Sequence, residues 1–294
     1  MAATSGGTYQ FKVGEFDCVA VSDGFFTYAP PAFPSPPEML FVNAPPDRLA
    51  RALAAHGLGA EAWKAWTTAY TCLLVTTGSS RVLIDTGAGA LSPTTGKLLE
   101  SLSSLGIDAD QIDLIVLTHG HPDHLGGNTD AEGTVVFPNA RWVMAKAEWE
   151  FWMEGQAEAA LPEPSRDMLV GCARRNLQPI KERLTLVAGE EEIQPGIRVA
   201  PGSGHTPGHM TVWVTSSGER LVCVSDLALH PLHLEEPGWV AGVDMLPDRV
   251  VAERRALLAA AAAEDCRIMA FHFPFPGLGR VSKQGSGWRW EAVG

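Results

Sequence analysis

Three histidines and one aspartate follow a short apolar run near the middle of the sequence. Residues 114–117 are all apolar, and His119, His121, Asp123 and His124 come directly after them. Imidazole nitrogen and carboxylate oxygen are ligands that zinc and neighbouring divalent transition metals accept. Four ligand-type side chains in so short a span therefore predict a metal-binding loop rather than a solvated polar loop.

The spacing within this loop predicts two pairs of ligands. An apolar run that ends in turn-forming residues is typical of a buried strand that enters a loop. Because side chains alternate along extended backbone, we expect His119 and His121 to point in the same direction. Pro122 ends the extension and places Asp123 and His124 at the start of a helix, facing elsewhere. One loop cannot complete two metal sites, so further ligands must come from later segments.

Suitable ligands occur at three later points in the chain. His205 lies in a turn rich in glycine and proline, and Asp226 and His272 each end an apolar, strand-like run. In layered α/β folds, binding sites are built where the strands end. Asp85 also ends a strand beside glycines, where it could either orient a ligand from behind or stabilise its own turn.

Composition limits the classes of function. The 294-residue chain carries 34 acidic against 22 basic residues, a net charge of −12, which argues against a nucleic-acid partner. The five cysteines are dispersed without C-x-x-C spacing, as is typical of free thiols in a reducing compartment. Met1 to Gly7 lack an apolar signal region, and the small-apolar run 257–263 is too short to span a bilayer. We expect a cytoplasmic protein with no membrane partner.

The remaining pattern predicts alternating strands and helices, treated as one domain over residues 1–294. Two hairpins are expected, one turning at Gly14 and the other near Gly78. Further strands are predicted at 134–137, 141–145, 184–187 and 197–200, and helices at 97–105, 165–183 and 249–264.

A proline-rich segment, about residues 28–65, is predicted to form a stiff loop with a short helix near the mouth of the site. Seven prolines fall between positions 30 and 46, which excludes a central strand or a helix interior. Phe25, Phe26, Phe33 and Phe41 would either line a pocket mouth or pin the loop to the body of the protein, and Trp239 is a further candidate for the pocket. An apolar pocket favours a neutral, hydrophobic substrate.

Taken together, His119-x-His121-x-Asp123-His124, His205, Asp226 and His272 resemble the metallo-β-lactamase-fold hydrolase superfamily. The resemblance runs in motif order from residue 9 to about 291. It implies an α/β fold, an αββα sandwich of the metallo-β-lactamase type with the metal site at one edge of the two sheets. Methyl parathion hydrolase-type enzymes and related lactonases are the most similar branch, on the segments 204–209, 271–279, 150–152 and 287–290.

The resemblance implies two divalent metal ions per chain, with zinc expected and manganese, cobalt or iron as alternatives. It assigns two sets of three ligands and one bridging aspartate: His119, His121 and His205; Asp123, His124 and His272; and Asp226. Asp123 and Asp226 would be catalytic, with Asp123 either moving a proton to the leaving group or acting purely as a ligand. Phe25, Phe26 and Trp152 are the predicted substrate-binding residues.

The expected reaction is attack by a metal-bridging hydroxide on a lactone, carboxyl ester or organophosphate triester. Two divalent ions, two aspartates and a hydroxide leave a net charge of about +1, which stabilises a developing oxyanion. One departure is Leu229, which stands where acyl-homoserine lactonases carry a tyrosine. A homodimer is possible, because dimers are common among similar proteins.

Three other functions remain open at this point. A mononuclear iron persulfide dioxygenase would use fewer of these ligands. A glyoxalase-type thioesterase would need a basic cluster, and only isolated Arg280, Lys283 and Arg289 occur late in the chain. The third is a metal-binding module without turnover.

Overall fold

The computed structural model describes residues 7–59, 61–78, 80–163 and 165–293. Most of the amino-terminal stretch whose composition argues against a signal peptide lies outside these ranges. Two sheets of seven strands each form the centre of the molecule. The first sheet contains, in spatial order, β1 (Thr8–Val13), β2 (Phe16–Tyr28), β3 (Trp66–Thr77), β4 (Ser80–Ile84), β5 (Leu114–Val116), β6 (Arg141–Ala145) and β7 (Leu184–Val187).

The second sheet is built from the rest of the chain in the same manner. Its strands are, in chain order, β8 (Glu191–Gln194), β9 (Ile197–Pro201), β10 (Met210–Ser216), β11 (Glu219–Cys223), β12 (Arg267–Met269), β13 (Leu278–Gln284) and β14 (Gly287–Ala292). The α-helices are α1 (Pro36–Leu40), α2 (Pro46–Ala55), α3 (Leu98–Ser103), α4 (Pro122–Leu125), α5 (Lys146–Met153), α6 (Gln156–Ala160), α7 (Ser165–Leu177), α8 (Leu232–Glu235) and α9 (Pro247–Ala263).

Three apolar clusters show that the layers are stacked helix, sheet, sheet, helix. Alternate residues of both sheets, such as Val116 and Val212, share one buried cluster between the sheets. Ile115 belongs instead to a cluster with α3, α5 and α7 on the outer face of the first sheet. Val222 packs with α9 on the outer face of the second sheet. This alternation confirms the predicted αββα sandwich.

Parallel pairing brings the ligand-bearing strand ends to one edge. β4, β5 and β6 run parallel, as do β11 and β12. Asp85 follows β4 with a φ of 61°, and Ser225 follows β11 with a φ of 47°. Backbone in this left-handed region costs free energy for a residue other than glycine and is often retained at functional sites. Both sheets therefore turn sharply at the same edge, immediately beside Thr118 and Asp226.

Some predicted elements are wrong. The predicted strand at 134–137 is only an isolated bridge between Thr129 and Val135, because Pro138 has no N–H to extend a ladder. The predicted helix at 165–183 ends at Leu177 and continues as a 3-10 segment, since Pro179 interrupts the α-helical hydrogen bonds.

The proline-rich segment forms α1 and α2, and hydrogen bonds attach it to the second half of the chain. Val42 N–H donates to the Val240 carbonyl at 3.0 Å, and the Asn43 amide donates to the Gly238 carbonyl at 2.8 Å. Within the described ranges, every helix is too short or too polar to cross a bilayer.

Candidate metal centre and active site

The loop after β5 has the geometry that its sequence predicts. His121 is extended, with φ −73° and ψ 151°, and it caps the short helix α4 that begins at Pro122. His119 and His121 lie on the extended part, whereas Asp123 and His124 lie on the helix. The two pairs therefore face two neighbouring groups of donors.

The first donor group combines three histidines and one aspartate. His121 Nδ1 lies 3.0 Å from His119 Nε2 and 2.9 Å from His205 Nε2. Asp226 Oδ2 lies 3.1 Å from His205 Nε2 and 3.7 Å from His119 Nε2. All four side chains can point one ligand atom at a shared centre.

The second donor group lies on the other side of Asp226. Asp123 Oδ2 lies 3.4 Å from His272 Nε2 and 3.8 Å from His124 Nε2. Asp226 approaches this group through both oxygens, with Oδ1 at 3.1 Å from His124 Nε2 and Oδ2 at 3.4 Å from His272 Nε2. The structure thus brings together all seven side chains that the sequence proposes as ligands, with Asp226 between the two groups.

These separations fit zinc-sized ions. Ligands about 2.0–2.2 Å from a tetrahedral ion are separated from one another by about 3.3–3.6 Å. The measured donor separations bracket that range. In addition, His124 Nε2 and Asp226 Oδ1 are buried and, although they lie 3.1 Å apart, neither makes a well-aligned hydrogen bond within the described part of the chain. Because an unpaired buried polar atom is costly, a cation that contacts both atoms accounts for their placement.

Two carboxylates orient the histidines from behind. His124 Nδ1 lies 2.8 Å from Asp85 Oδ2, and His205 Nδ1 lies 3.0 Å from Asp244 Oδ1. Each contact fixes the Nδ1 proton and leaves Nε2 as the lone-pair donor, as in most protein metal sites. Of the two interpretations of Asp85, the structure favours orientation of a ligand. Asp244 was missed, because it lies in a loop without a recognisable pattern.

His209 positions Asp226 rather than joining the donors. Its Nδ1 lies 2.9 Å from the Gly202 carbonyl, and its Nε2 accepts from the Asp226 backbone N–H at 3.2 Å. Burial lowers the pKa of His209 to about 3, so the ring is neutral and can accept.

The electrostatics of the site are those of a cation-binding centre. Burial, reinforced by neighbouring histidines, holds the pKa values of His119 and His121 well below the usual range. Burial alone would raise the pKa of Asp226, but nearby histidines, chiefly His124, hold it well below its usual range. His119 and His121 are therefore neutral beside an ionised Asp226. Burial would lower the pKa values of His124 and His205, but nearby carboxylates, chiefly Asp226, raise the pKa of His124 well above its usual range and that of His205 to about 9. A bound cation would displace the protons of these two imidazoles, because histidine binds a metal in its neutral form.

Glu148 joins the two ligand-bearing loops, a role that no sequence pattern predicts. Its Oε1 accepts from Gly120 N–H at 2.8 Å and from the Trp152 indole at 2.6 Å. Its Oε2 accepts from the Thr206 hydroxyl at 2.7 Å and from Gly208 N–H at 2.9 Å. A Cβ on Gly208 would lie 2.2 Å from Glu148 N, so this close approach requires glycine.

The predicted pocket residues occupy different places. Phe26 packs edge-on against Tyr28, with ring centroids 4.7 Å apart, whereas Phe25 is 47% exposed on the opposite face of β2. Trp152 is fully buried, with its ring 5.7 Å from that of His121. Trp152 therefore supports a ligand from behind, at a place with no accessible surface for a substrate. Trp239 is nearly buried, in the apolar cluster around α1.

Solved structures of hydrolases share this architecture. AidC, described as a dizinc quorum-quenching lactonase in complex with the product N-hexanoyl-L-homoserine, aligns with a TM-score of 0.88 and 27% identity over 98% of both chains. The hydrolase AbOPH of the beta-lactamase superfamily aligns with a TM-score of 0.87 and 28% identity over 99% of both chains.

Curated relatives are more distant. An N-acyl homoserine lactonase from Bacillus sp. is 24% identical over 52% of this chain and 62% of its own length. The lactonase from Bacillus cereus is 23% identical over 59% of this chain and 69% of its own length. This chain thus spans a little under two thirds of the first relative. The family described as the Metallo-beta-lactamase superfamily matches residues 66–270, more than half of the sequence, and the chain belongs to that superfamily.

Proposed function

We propose that the protein is a binuclear metal-dependent lactonase that opens neutral, hydrophobic lactones of the N-acyl homoserine type. The observation that carries the proposal is the position of Asp226, whose two oxygens lie within 3.1–3.7 Å of histidine nitrogens in both donor groups. The dizinc site and the lactone-derived product named for AidC support both the metal count and the substrate class.

Each ligand residue has a defined task in this proposal. His119, His121 and His205 would hold one ion, three further residues would hold the second, and Asp226 would be shared. When bound, the pair of ions supplies an activated water nucleophile and polarises the substrate carbonyl. The second group consists of Asp123, His124 and His272.

Asp123 is the candidate for moving the proton to the leaving alkoxide. Its side chain retains 13% of its accessible surface, compared with 4% for Asp226. A carboxylate that remains reachable beside the substrate can take a proton from the nucleophile and release it to the departing oxygen. Asp226 has both oxygens surrounded by histidines and is suited only to holding the ions.

Aromatic residues beside His272 supply an apolar wall for the acyl part of the substrate. Trp66 lies 5.7 Å from the His272 ring, and Tyr28 stacks on Trp66 at 5.2 Å. Phe33, from the proline-rich segment, packs edge-on against Tyr28 at 4.8 Å. This wall, rather than Trp152, is the part of the structure that suits a hydrophobic chain.

The test is a substrate panel on protein of measured metal content. We expect about two divalent metals per chain and turnover of N-acyl homoserine lactones, with slower hydrolysis of aryl esters and organophosphate triesters. Turnover of a triester but of no lactone would move the proposal to phosphotriester hydrolysis. One iron per chain with oxidation of a persulfide, or thioester cleavage alone, would contradict it.

A further inference from the structure

Two tyrosine hydroxyls form a pair beside the proposed site, and no role for them follows from the metal ligands alone. Tyr28 Oη and Tyr70 Oη lie 2.8 Å apart. Tyr28 ends β2, and Tyr70 lies on β3, where its backbone partner is Gly24.

One end of this two-stranded ribbon packs against His272. The Thr68 hydroxyl donates to the His272 carbonyl at 2.6 Å. The rings of Trp66 and Tyr70 lie 5.7 and 5.4 Å from the His272 imidazole. Because Trp66, Thr68 and Tyr70 alternate along β3, they share one face, and Tyr28 reaches that face through Trp66 and Tyr70. Tyr70 therefore lies beside His272 of the second donor group, and its hydroxyl contacts that of Tyr28.

The two tyrosine hydroxyls together can donate one further hydrogen bond. Two phenols carry two O–H protons, and their mutual hydrogen bond uses one of them. Within the described residues, neither hydroxyl has another protein partner. Tyr70 is completely buried, whereas Tyr28 is half-buried. Because Tyr28 is the more exposed residue of the two, the unused proton can reach a substrate only if Tyr70 donates to Tyr28, which leaves the Tyr28 O–H free to donate.

Both phenols can act as hydrogen-bond donors at neutral pH. Burial is the main cause that raises the pKa values of Tyr28 and Tyr70, and the negative charge of Asp123 raises both further. A tyrosine phenol, whose ordinary pKa is about 10, is protonated at neutral pH and can donate a hydrogen bond.

We infer that Tyr28 donates a hydrogen bond to the substrate oxygen that becomes negatively charged during hydrolysis, and that Tyr70 positions it by donating to the Tyr28 hydroxyl. This inference rests on the proposed lactonase function. Tyr28 would then be a catalytic residue, because it contacts the substrate, and Tyr70 a positioning residue that acts through Tyr28. No proton is transferred, so both phenols remain protonated throughout the reaction.

The test compares Tyr28→Phe, Tyr70→Phe and the double variant in zinc-loaded protein. Tyr9→Phe, which changes the third tyrosine of the chain on β1, is the matched control. Loss of one oxyanion donor typically lowers kcat about 100-fold, so we expect that loss for Tyr28→Phe with little change in KM. Tyr70→Phe should lower kcat about 5–10-fold, and the double variant should match Tyr28→Phe, because Tyr70 acts only through that hydroxyl.

Product binding gives a readout that does not depend on turnover. Calorimetry with N-hexanoyl-L-homoserine should show roughly 5–15-fold weaker binding to Tyr28→Phe, as expected for one lost hydrogen bond, and unchanged binding to Tyr9→Phe. If the parent opens lactones and Tyr28→Phe matches it in kcat and product affinity, the tyrosine inference alone is overturned. Losses that multiply in the double variant would overturn the role of Tyr70. A parent that hydrolyses no ester would overturn the proposed function as well.

Discussion

Replacing Glu148 with glutamine tests whether this side chain holds the two ligand loops together. The carboxylate accepts four hydrogen bonds, two at each oxygen, from the loops that carry His121 and His205 and from Trp152. A glutamine amide has one oxygen and one NH2 group. Whichever way it turns, two of the four donors lose their acceptor and face an N–H group instead.

The cost follows from this geometry. A buried donor left without a partner costs about 1–3 kcal/mol, so two such donors cost about 2–6 kcal/mol. For a chain of nearly 300 residues, about 1 kcal/mol lowers the melting temperature by roughly 2 °C. Glu148→Gln should therefore melt about 4–12 °C below the parent. The loops would also separate more easily, so metal affinity should fall, by about 10–100-fold as for other supports of metal ligands.

The assay is thermal unfolding of the zinc-loaded protein, combined with competition against a chelator. Glu150→Gln is the control, since Glu150 lies on the same helix, remains partly exposed and pairs with Lys146. Loss of such a surface pair costs between zero and about 1 kcal/mol. If Glu148→Gln melts within 2 °C of the control and retains zinc equally well, Glu148 does not join the loops and the reasoning fails.

Two further substitutions test the supports of the ligands. Asp244→Asn weakens the hydrogen-bond acceptor that lies 3.0 Å from His205 Nδ1, so competition with a chelator should show about 10–100-fold weaker zinc binding. Asp248→Asn, at an exposed position, is the control. Equal zinc affinity in the two variants would contradict the proposal that Asp244 orients His205. Gly120→Ala places a Cβ 2.2 Å from Trp152 Nε1, so the free energy of unfolding should fall by about 1–3 kcal/mol. Gly171→Ala has open space and should show no such loss; equal behaviour would exclude the predicted clash.

The sequence predicts the ligands of the loop after β5 because these residues are close neighbours in the chain. The alternation of His119 and His121 and the break at Pro122 follow from backbone geometry alone. His205 and His272 were found because each stands at the end of a strand or in its connecting turn. In layered α/β folds such strands end at a common edge, so the sequence alone predicts that these ligand side chains come together there.

The supporting residues could not be read in this way. Glu148 contacts Thr206 across 58 positions of sequence, and its role depends on how closely two loops approach. Glu148 precedes Trp152 by one helical turn, but that spacing is common in helices and does not by itself indicate a role in supporting the ligands. Tyr28 and Tyr70 are likewise joined only by strand pairing. Such contacts depend on tertiary packing, which composition and periodicity do not encode locally.

The placement of aromatic residues shows the same limit. Phe25 and Phe26 are adjacent in sequence and were predicted to share a pocket, yet alternation along β2 sends them to opposite faces. Phe25 remains 47% exposed, while Phe26 packs in the aromatic group beside Tyr28. Loop position alone was therefore too coarse to define the pocket, because a shift of one residue reverses the direction of a side chain.

The metal content of Asp226→Ala protein, measured beside the parent by mass spectrometry, tests whether two metal ions share Asp226. Among the residues that the structure describes, Asp226 is the one side chain whose oxygens approach histidines of both donor groups. We expect about two zinc ions per chain in the parent and fewer than one in the variant. Lactone hydrolysis should be lost together with the metal. A variant that retains two ions and full activity would contradict a shared, Asp226-centred metal site.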